Sequence, residues 1–285
     1  MKRLKDIVPN DFDFSYEEVT SYGYRIDLEQ PKKLQEGCSE DRTLLKMSEG
    51  ELPKLVLPEF SPIENQANQG ACQGHSLSTC AENCRVRSGA KHVQLSRACA
   101  YYESQRIDNI RGDSGSTING GIELVENAGI CTEADWEYPS SYNPRRPSTW
   151  ENSVRYKIQG HVILTDFAKL LDWIAFKGPI HIGIAWSRDI DQQVGQDGII
   201  RTYSGRGGDG HSVALDGLTY EDWQGNPLPG NEPGAILSNS WSERWGFKGR
   251  CIVLRRAFES MVRTQWSIFA GLHGTVSPKI DDVEF

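Results

Sequence analysis

The chain has 285 residues and a formal net charge of −8, with 38% apolar and 25% charged residues. That length buries a core without disulfide or metal staples, and the mixture is that of a folded chain. The acidic balance argues against nucleic acid as a main partner, and no apolar run approaches the roughly 20 residues that span a bilayer.

Residues 1–57 are rich in Lys, Glu and Asp, with few periodic apolar positions. They read as an arm or prosegment, leading past Pro53 and Pro58 into a body at 58–285. The opening MKRLKDIVPNDFDF has no apolar stretch behind its basic start, so no secretory leader is expected. From Cys72 onward, Leu77, Cys80, Ala81 and Cys84 form an apolar stripe at helical spacing. A second helix is predicted over 95–106, with Ser96 as its cap, and a third over 116–128, closed by Gly129. A fourth is predicted over 165–177, with Thr165 as cap and Gly178-Pro179 as its stop. Ile180, Ile182, Ile184 and Trp186 then alternate with smaller or polar residues, the period of a strand. Short apolar runs at 213–215, 235–237 and 251–254 follow, separated by turns such as NPLPGNEPG at 226–234. Helices first and strands later imply an α+β fold, with a helical lobe at about 62–160 and a strand-rich lobe at about 161–285.

The seven cysteines are an odd number at irregular spacing, which is no disulfide framework. With no leader, a reducing compartment such as the cytoplasm is expected. Cys80 and Cys84 have no second pair of ligands to complete a zinc set. Cys80, Cys84, Cys99, Cys131 and Cys251 read as small buried hydrophobes, and His92, His161, His181 and His273 as structural residues.

Three patches carry chemistry: PIENQANQGACQGHS at 62–76, GDGHSVALDG at 208–217 and LSNSWSERWGFKG at 237–249. The first sets Cys72 where a Gly-rich loop meets a helix start, and a helix N-terminus favours a thiolate. A thiolate nucleophile needs a base or ion-pair partner, and that partner needs an orienting group. His211 opens a strand in the second patch, and Asn239 in the third offers an amide to one imidazole nitrogen.

Together these patches resemble the papain family of cysteine peptidases, over roughly residues 58–272. Two frames compete in the first patch. One sets Asn68-Gln69-Gly70-Ala71-Cys72 on the family's Asn-Gln-Gly-Ser-Cys, which puts His75 at the nucleophile position and makes a dead enzyme. The other sets Pro62-Ile63-Glu64-Asn65-Gln66 on Pro-Val-Lys-Asn-Gln and keeps Cys72 as nucleophile, with Ser76 four residues on. It matches more positions and is the one adopted. In this frame the family's half-cystine is Gln69, and the tryptophan after the nucleophile is Gln73, which makes the cleft wall more polar. The partner half-cystine is also missing from 114–121, so this is a member without the usual disulfides. His211 follows Cys72 by 139 residues, inside the family's roughly 130–150. Asn239 follows by 167 residues, the surplus lying in the 221–234 loop.

The resemblance implies a two-lobed α+β fold, a helical lobe beside an antiparallel barrel-like lobe, with the cleft between them. It implies that Cys72 attacks a peptide carbonyl, that His211 pairs with the thiolate and protonates the leaving amine, and that Asn239 orients His211. Gln66 and the Cys72 backbone N–H would hold the oxyanion. Gly115 and Trp241 become substrate-side residues, Gly115 pairing with an extended chain and Trp241 shielding the Asn–His bond. No cofactor is needed, and the substrate is a polypeptide. The arm is expected to dock on its own body or on an assembly partner, with residues within 35–57 crossing the groove and Cys38 approaching the site. The alternatives are a papain-fold structural or binding component with a filled cleft, and an acyl transferase that uses an amine instead of water.

Overall fold

The computed structural model describes residues 22–25, 51–57, 61–264 and 267–276. Helix α1, Cys72–Arg87, is the buried axis of the helical lobe. Its small residues allow burial on every side: a Cβ on Gly74 would stand 2.7 Å from the Tyr101 backbone nitrogen of the next helix. That helix, α2, spans Arg97–Ile107 and is capped by Ser96, whose Oγ accepts the Cys99 N–H at 2.9 Å. The Glu82 carboxylate, fully buried on α1, ties the lobe together. It accepts from the Ser61 hydroxyl at 2.5 Å, the Leu95 N–H at 2.7 Å and the buried Arg97 guanidinium. Helix α3, Ile118–Glu123, begins at Thr117, whose Oγ1 accepts the Gly120 N–H at 3.0 Å. It widens into a π-turn over Leu124–Ala128 and stops at Gly129, so the predicted helix over 116–128 is two pieces.

The second lobe is built on eight strands: β1 Leu55–Val56, β2 Gly160–Ile163, β3 Ile180–Trp186, β4 Ile199–Ile200, β5 Asp209–Thr219, β6 Gly234–Ser238, β7 Arg250–Val253 and β8 Ile268–His273. Their order is β2-β8-β3-β5-β6-β7-β4, with β1 paired to β5. The β4–β7 pair is parallel, and β2 and β4 stand at opposite edges. Among the described residues the sheet is therefore mixed and open, not a closed antiparallel barrel: β2 and β4 do not pair with each other, and β4 joins β7 in parallel.

Every residue of β3 is buried. The alternation read from the sequence separates two buried faces. Ile180, Ile182, Ile184 and Trp186 join a core with Trp173 and Phe258, while His181 faces α1, its Nδ1 2.8 Å from the Ser76 hydroxyl. Helix α4, Phe167–Phe176, is capped by Asp166, which accepts the Lys169 N–H at 2.9 Å, and not by Thr165. Two further helices, α5 Arg188–Asp197 and α6 Arg255–Val262, were not predicted. Helix α5 buries only Ile190, Asp191 and Val194, too thin a stripe to stand out from its polar residues. The long 221–234 loop makes its own small core, Trp223 stacking on Phe247 at 4.2 Å beside Leu228 and Ile236.

Candidate active site and the segment that lies in it

The loop ahead of α1 is stitched to the asparagine patch. Asn65 bridges Trp241 in antiparallel register, the Gln66 N–H donates to the Ser240 carbonyl at 2.9 Å, and the Ser242 N–H donates to the Glu64 carbonyl at 3.1 Å. This stitching brings the first and third sequence patches together. Cys72 is the first residue of α1, preceded by Ala71 with no side-chain cap, so the helix start faces the thiol with open N–H groups. The sulfur receives N–H groups of Ser212, Gly23, Gln73 and Cys72 itself. Contact with Ser212 puts it beside the second patch.

His211 stands on β5, opposite Ile184 of β3. Its ring stacks on Trp241 at 4.3 Å and meets Trp186 edge-on at 4.9 Å. Its Nε2 lies 2.8 Å from Asn239 Oδ1, which also accepts the Ser240 N–H at 2.8 Å. An atom that accepts from a backbone N–H is the oxygen end of the amide, so Nε2 carries the ring proton. Nδ1 then holds the lone pair, and it is buried without a hydrogen-bond partner. Gln66 is oriented by the same logic. The Ser240 hydroxyl donates to its Oε1 at 2.6 Å, and its Nε2 donates to the Gln69 carbonyl at 2.9 Å.

Burial pushes the Cys72 thiol up to about 11 and the His211 imidazole down to about 3, the Asn239 bond opposing the latter. Both groups are neutral at ordinary pH in this covered state. His75, the nucleophile position of the rejected frame, is buried one turn along α1. Its Nδ1 lies 3.0 Å from the Ala71 carbonyl and its ring packs edge-on against Tyr138. Gln69 is a tether, accepting from the Tyr102 hydroxyl at 2.8 Å and donating to the Pro139 carbonyl at 2.7 Å. Gln73 does not line the cleft wall as expected. It is fully buried and accepts the Ser116 hydroxyl at 2.7 Å, because the missing Cβ of Gly121 leaves room for its amide.

Residues 22–25 lie in the cleft. The Tyr24 N–H donates to the Gly210 carbonyl at 2.9 Å, the Arg25 N–H to the Ser116 carbonyl at 3.0 Å, and the Ser116 N–H to the Gly23 carbonyl at 3.0 Å. A Cβ on Gly23 would stand 1.7 Å from the Gly70 oxygen, and one on Gly115 would stand 1.9 Å from the Gly23 oxygen. The backbone pairing expected of Gly115 therefore belongs to its neighbour Ser116, and Gly115 supplies clearance. Tyr22 meets His211 edge-on at 5.8 Å and Trp241 at 5.6 Å, so Trp241 both stacks on His211 and touches the occupant of the cleft. The crossing expected within 35–57 is not found at 51–57. Leu55 and Val56 pair with Thr219 and Leu218, at the opposite end of β5 from His211, roughly 20 Å or more along an extended strand. Cys38 lies outside the described residues. The sequence reading gave no role to Ser116 or Ser240, which the structure places at the site. A Tyr-Gly-Tyr triplet inside a polar arm was the available signal for the crossing segment.

The sequence model of the papain family cysteine proteases matches residues 57–268. Falcipain-2b of Plasmodium falciparum (isolate 3D7) is 30% identical over 200 residues, covering 66% of this chain and 38% of that protein. Cysteine proteinase A of Leishmania mexicana is 26% identical over 197 residues, covering 66% of this chain and 50% of that protein. The chain thus spans half or less of these relatives' lengths. Among solved structures, xylellain, a cysteine protease from Xylella fastidiosa, is similar in fold, with a TM-score of 0.67 at 20% identity over 92% of this chain and 100% of that one.

Proposed function

The chain belongs to the papain family of cysteine proteases, and from its cleft we propose a thiol endopeptidase that segment 22–25 holds in a blocked state. In this reading Cys72 attacks the scissile carbonyl as a thiolate, paired with an imidazolium at His211. The negative oxygen is held by the Gln66 amide and the Cys72 backbone N–H. His211 then passes its proton to the leaving amine, and water hydrolyses the acyl-enzyme. Asn239 keeps the proton on Nε2, which leaves Nδ1 as the working nitrogen. The substrate is an extended polypeptide laid along Ser116 and Gly210, the two backbone partners that segment 22–25 now uses. Cys72 has to stay a thiol, which suits a reducing compartment, and the six described cysteines are all free.

One observation carries the blocked state: Gly23 sits against the Cys72 sulfur, with the Tyr22 ring against His211 on one side and the Tyr24 N–H bonded to the Gly210 carbonyl on the other. With the segment in place the site is dry, the thiol and imidazole stay neutral, and no substrate fits. Gly23→Ala in the full chain tests this, since a methyl there collides with the Gly70 oxygen. Hydrolysis of a mixed peptide library should rise at least tenfold over the unaltered chain and vanish when Cys72→Ala is added. If Gly23→Ala frees Cys72 for alkylation yet cleaves nothing, the permanently filled binding component becomes the better reading.

A further inference from the structure

Two backbone segments meet Gly23 in the cleft: the loop into Cys72, at Gly70, and the stretch ahead of Ser116, at Gly115. They also meet each other, since a Cβ on Gly70 would fall 3.1 Å from the Gly115 nitrogen. One carboxylate oxygen joins them. Asp113 Oδ1 accepts the Gly70 N–H at 2.8 Å and the Tyr101 hydroxyl at 2.7 Å. The Tyr101 oxygen in turn accepts the Gly115 N–H at 3.2 Å. Gln105 braces the same stretch, its Nε2 donating to the Gly112 and Gly115 carbonyls, both at 2.9 Å, and its Oε1 accepting the Tyr142 hydroxyl at 3.0 Å. Tyr101 and Gln105 are buried on α2, which gives the joint a fixed base. Burial, with the Asp113 carboxylate beside it, pushes the Tyr101 hydroxyl up, so it stays a donor at ordinary pH. The half-cystine that the family sets ahead of the nucleophile is Gln69 in this chain, so no disulfide shares this task.

We propose that Asp113 is a positioning residue of the peptidase site: through Gly70 it sets where Cys72 stands, and through Tyr101 it sets where Gly115 holds Ser116. The inference rests on the peptidase reading above and adds the residue that aligns its nucleophile with its substrate-pairing backbone. The reach from the joint to the chemistry is short. Gly70 lies two residues ahead of Cys72, and Gly115 directly precedes Ser116, which pairs with the chain lying in the cleft. Without Asp113 the Gly70 N–H and the buried Tyr101 hydroxyl lose one shared acceptor, and the two segments are free to shift against each other. A misplacement of about 1 Å at a reacting centre costs about 10²-fold in rate. Asparagine at 113 keeps an oxygen for both donors and drops the charge, so it separates position from electrostatics.

One test reads turnover in full-length Gly23→Ala with a fluorogenic peptide that this variant cleaves. Adding Asp113→Ala should lower kcat/KM at least tenfold, with kcat itself down at least about threefold, and Asp113→Asn should recover to within about threefold. Tyr101→Phe should lose as Asp113→Ala does, and the two together should lose little more than either alone, because both cut one joint. A loss that Asp113→Ala and Asp113→Asn share, no loss in either, or additive losses at Asp113 and Tyr101 overturn the inference while the peptidase reading stands. A second test needs no turnover: iodoacetamide labelling, mapped by peptide mass, in chains that keep Gly23. Asp113→Ala and Tyr101→Phe should loosen the segment at Gly70 and Ser116 and label Cys72 at least tenfold faster than Asp113→Asn, with Cys80 and Cys99 protected in all three. Labelling of Cys72 at one rate in all three overturns the inference. So does labelling of Cys99 along with Cys72, since a residue that merely stabilises the lobe exposes both when it is lost. Selective labelling of Cys72, with no hydrolysis by Gly23→Ala, supports the joint and removes the peptidase.

Discussion

At Cys72 and His211 the covered cleft works against the charge separation that the chemistry requires. A thiol at about 11 and an imidazole at about 3 leave both groups neutral across the intervening range. Water admitted to the site relieves the burial that causes both shifts, and the start of α1 then favours the thiolate. In the unaltered chain, iodoacetamide at pH 5.5 should therefore label no described cysteine, and in Gly23→Ala it should label Cys72 alone, as read by peptide mass mapping. Equal labelling of Cys72 and Cys80 in the variant would remove the ion-pair account. Gln66→Ala in the Gly23→Ala enzyme should lower kcat by roughly 10²–10³-fold, the usual loss of one oxyanion donor. Gln69→Ala should act on stability instead, through the Tyr102 and Pro139 bonds it releases. That Cys72, His211, Asn239 and Gln66 stand together was legible in the sequence because each carries a polar side chain at a spaced motif. Ser116 was not, because it meets the segment through its backbone.

The elements bearing these residues are held by a few buried polar joints. Glu82 and Arg97 form an ion pair that no water reaches, and Glu82 also anchors Ser61, where the chain enters the loop to Cys72. Removing Glu82 leaves the buried Arg97 with only the partly exposed Glu64 carboxylate at 3.7 Å, at a cost toward the lower end of about 3–5 kcal/mol. Glu82→Gln should lower the stability of the chain by that amount in urea unfolding, with an unchanged slope against denaturant. A loss within about 0.5 kcal/mol, the usual range for a surface change, would mean that the joint does not hold the lobe. Helices α1 and α4 were legible from apolar stripes and stop signals, and α2 also from its Ser96 cap. Helix α6 buries Ala257, Phe258 and Met261 against the core but lacks a side-chain cap, and α5 is mostly polar, so neither announced itself. In β3 the period was correct but its meaning was not, since a strand between two partners with helices on both faces has no solvent side.

Across the whole molecule, three imidazoles are buried at a depressed pKa: His75, His181 and His211 each fall to about 3. A group whose folded pKa is lowered binds its proton more readily once released, so below about 6.5 each one favours unfolding as pH falls. Asp216, raised by burial to about 6, runs the other way, because the folded chain takes up its proton first. Glu133 and Asp191, raised by burial as well, act in the same sense as Asp216, so the carboxyls offset part of what the three imidazoles cost as pH falls from about 6 to 5. The histidines do not share one route of escape. His75 and His181 are packed along α1, whereas Tyr22 covers His211 and the Gly210 carbonyl beside it accepts from Tyr24. Lifting segment 22–25 therefore hydrates His211 without unfolding the lobes. From pH 7 to pH 5 that local opening should change little in the unaltered chain, because the proton His211 gains on opening is the one Cys72 gives up, whereas in Cys72→Ala His211 protonates alone and opening should gain about 2 kcal/mol, roughly a thirtyfold shift. Hydrogen exchange reads it directly, because the Tyr24 and Arg25 amides are bonded only while the segment is docked. Their protection, corrected for intrinsic rates, should fall by more than tenfold between pH 7 and pH 5 in Cys72→Ala and by less than threefold in the unaltered chain. Adding His211→Gln to Cys72→Ala should flatten the dependence at Tyr24 and Arg25 and leave the acid loss of global stability from His75 and His181 in place. Protection at Tyr24 of Cys72→Ala that stays level from pH 7 to pH 5 would show that His211 is not what the segment holds dry.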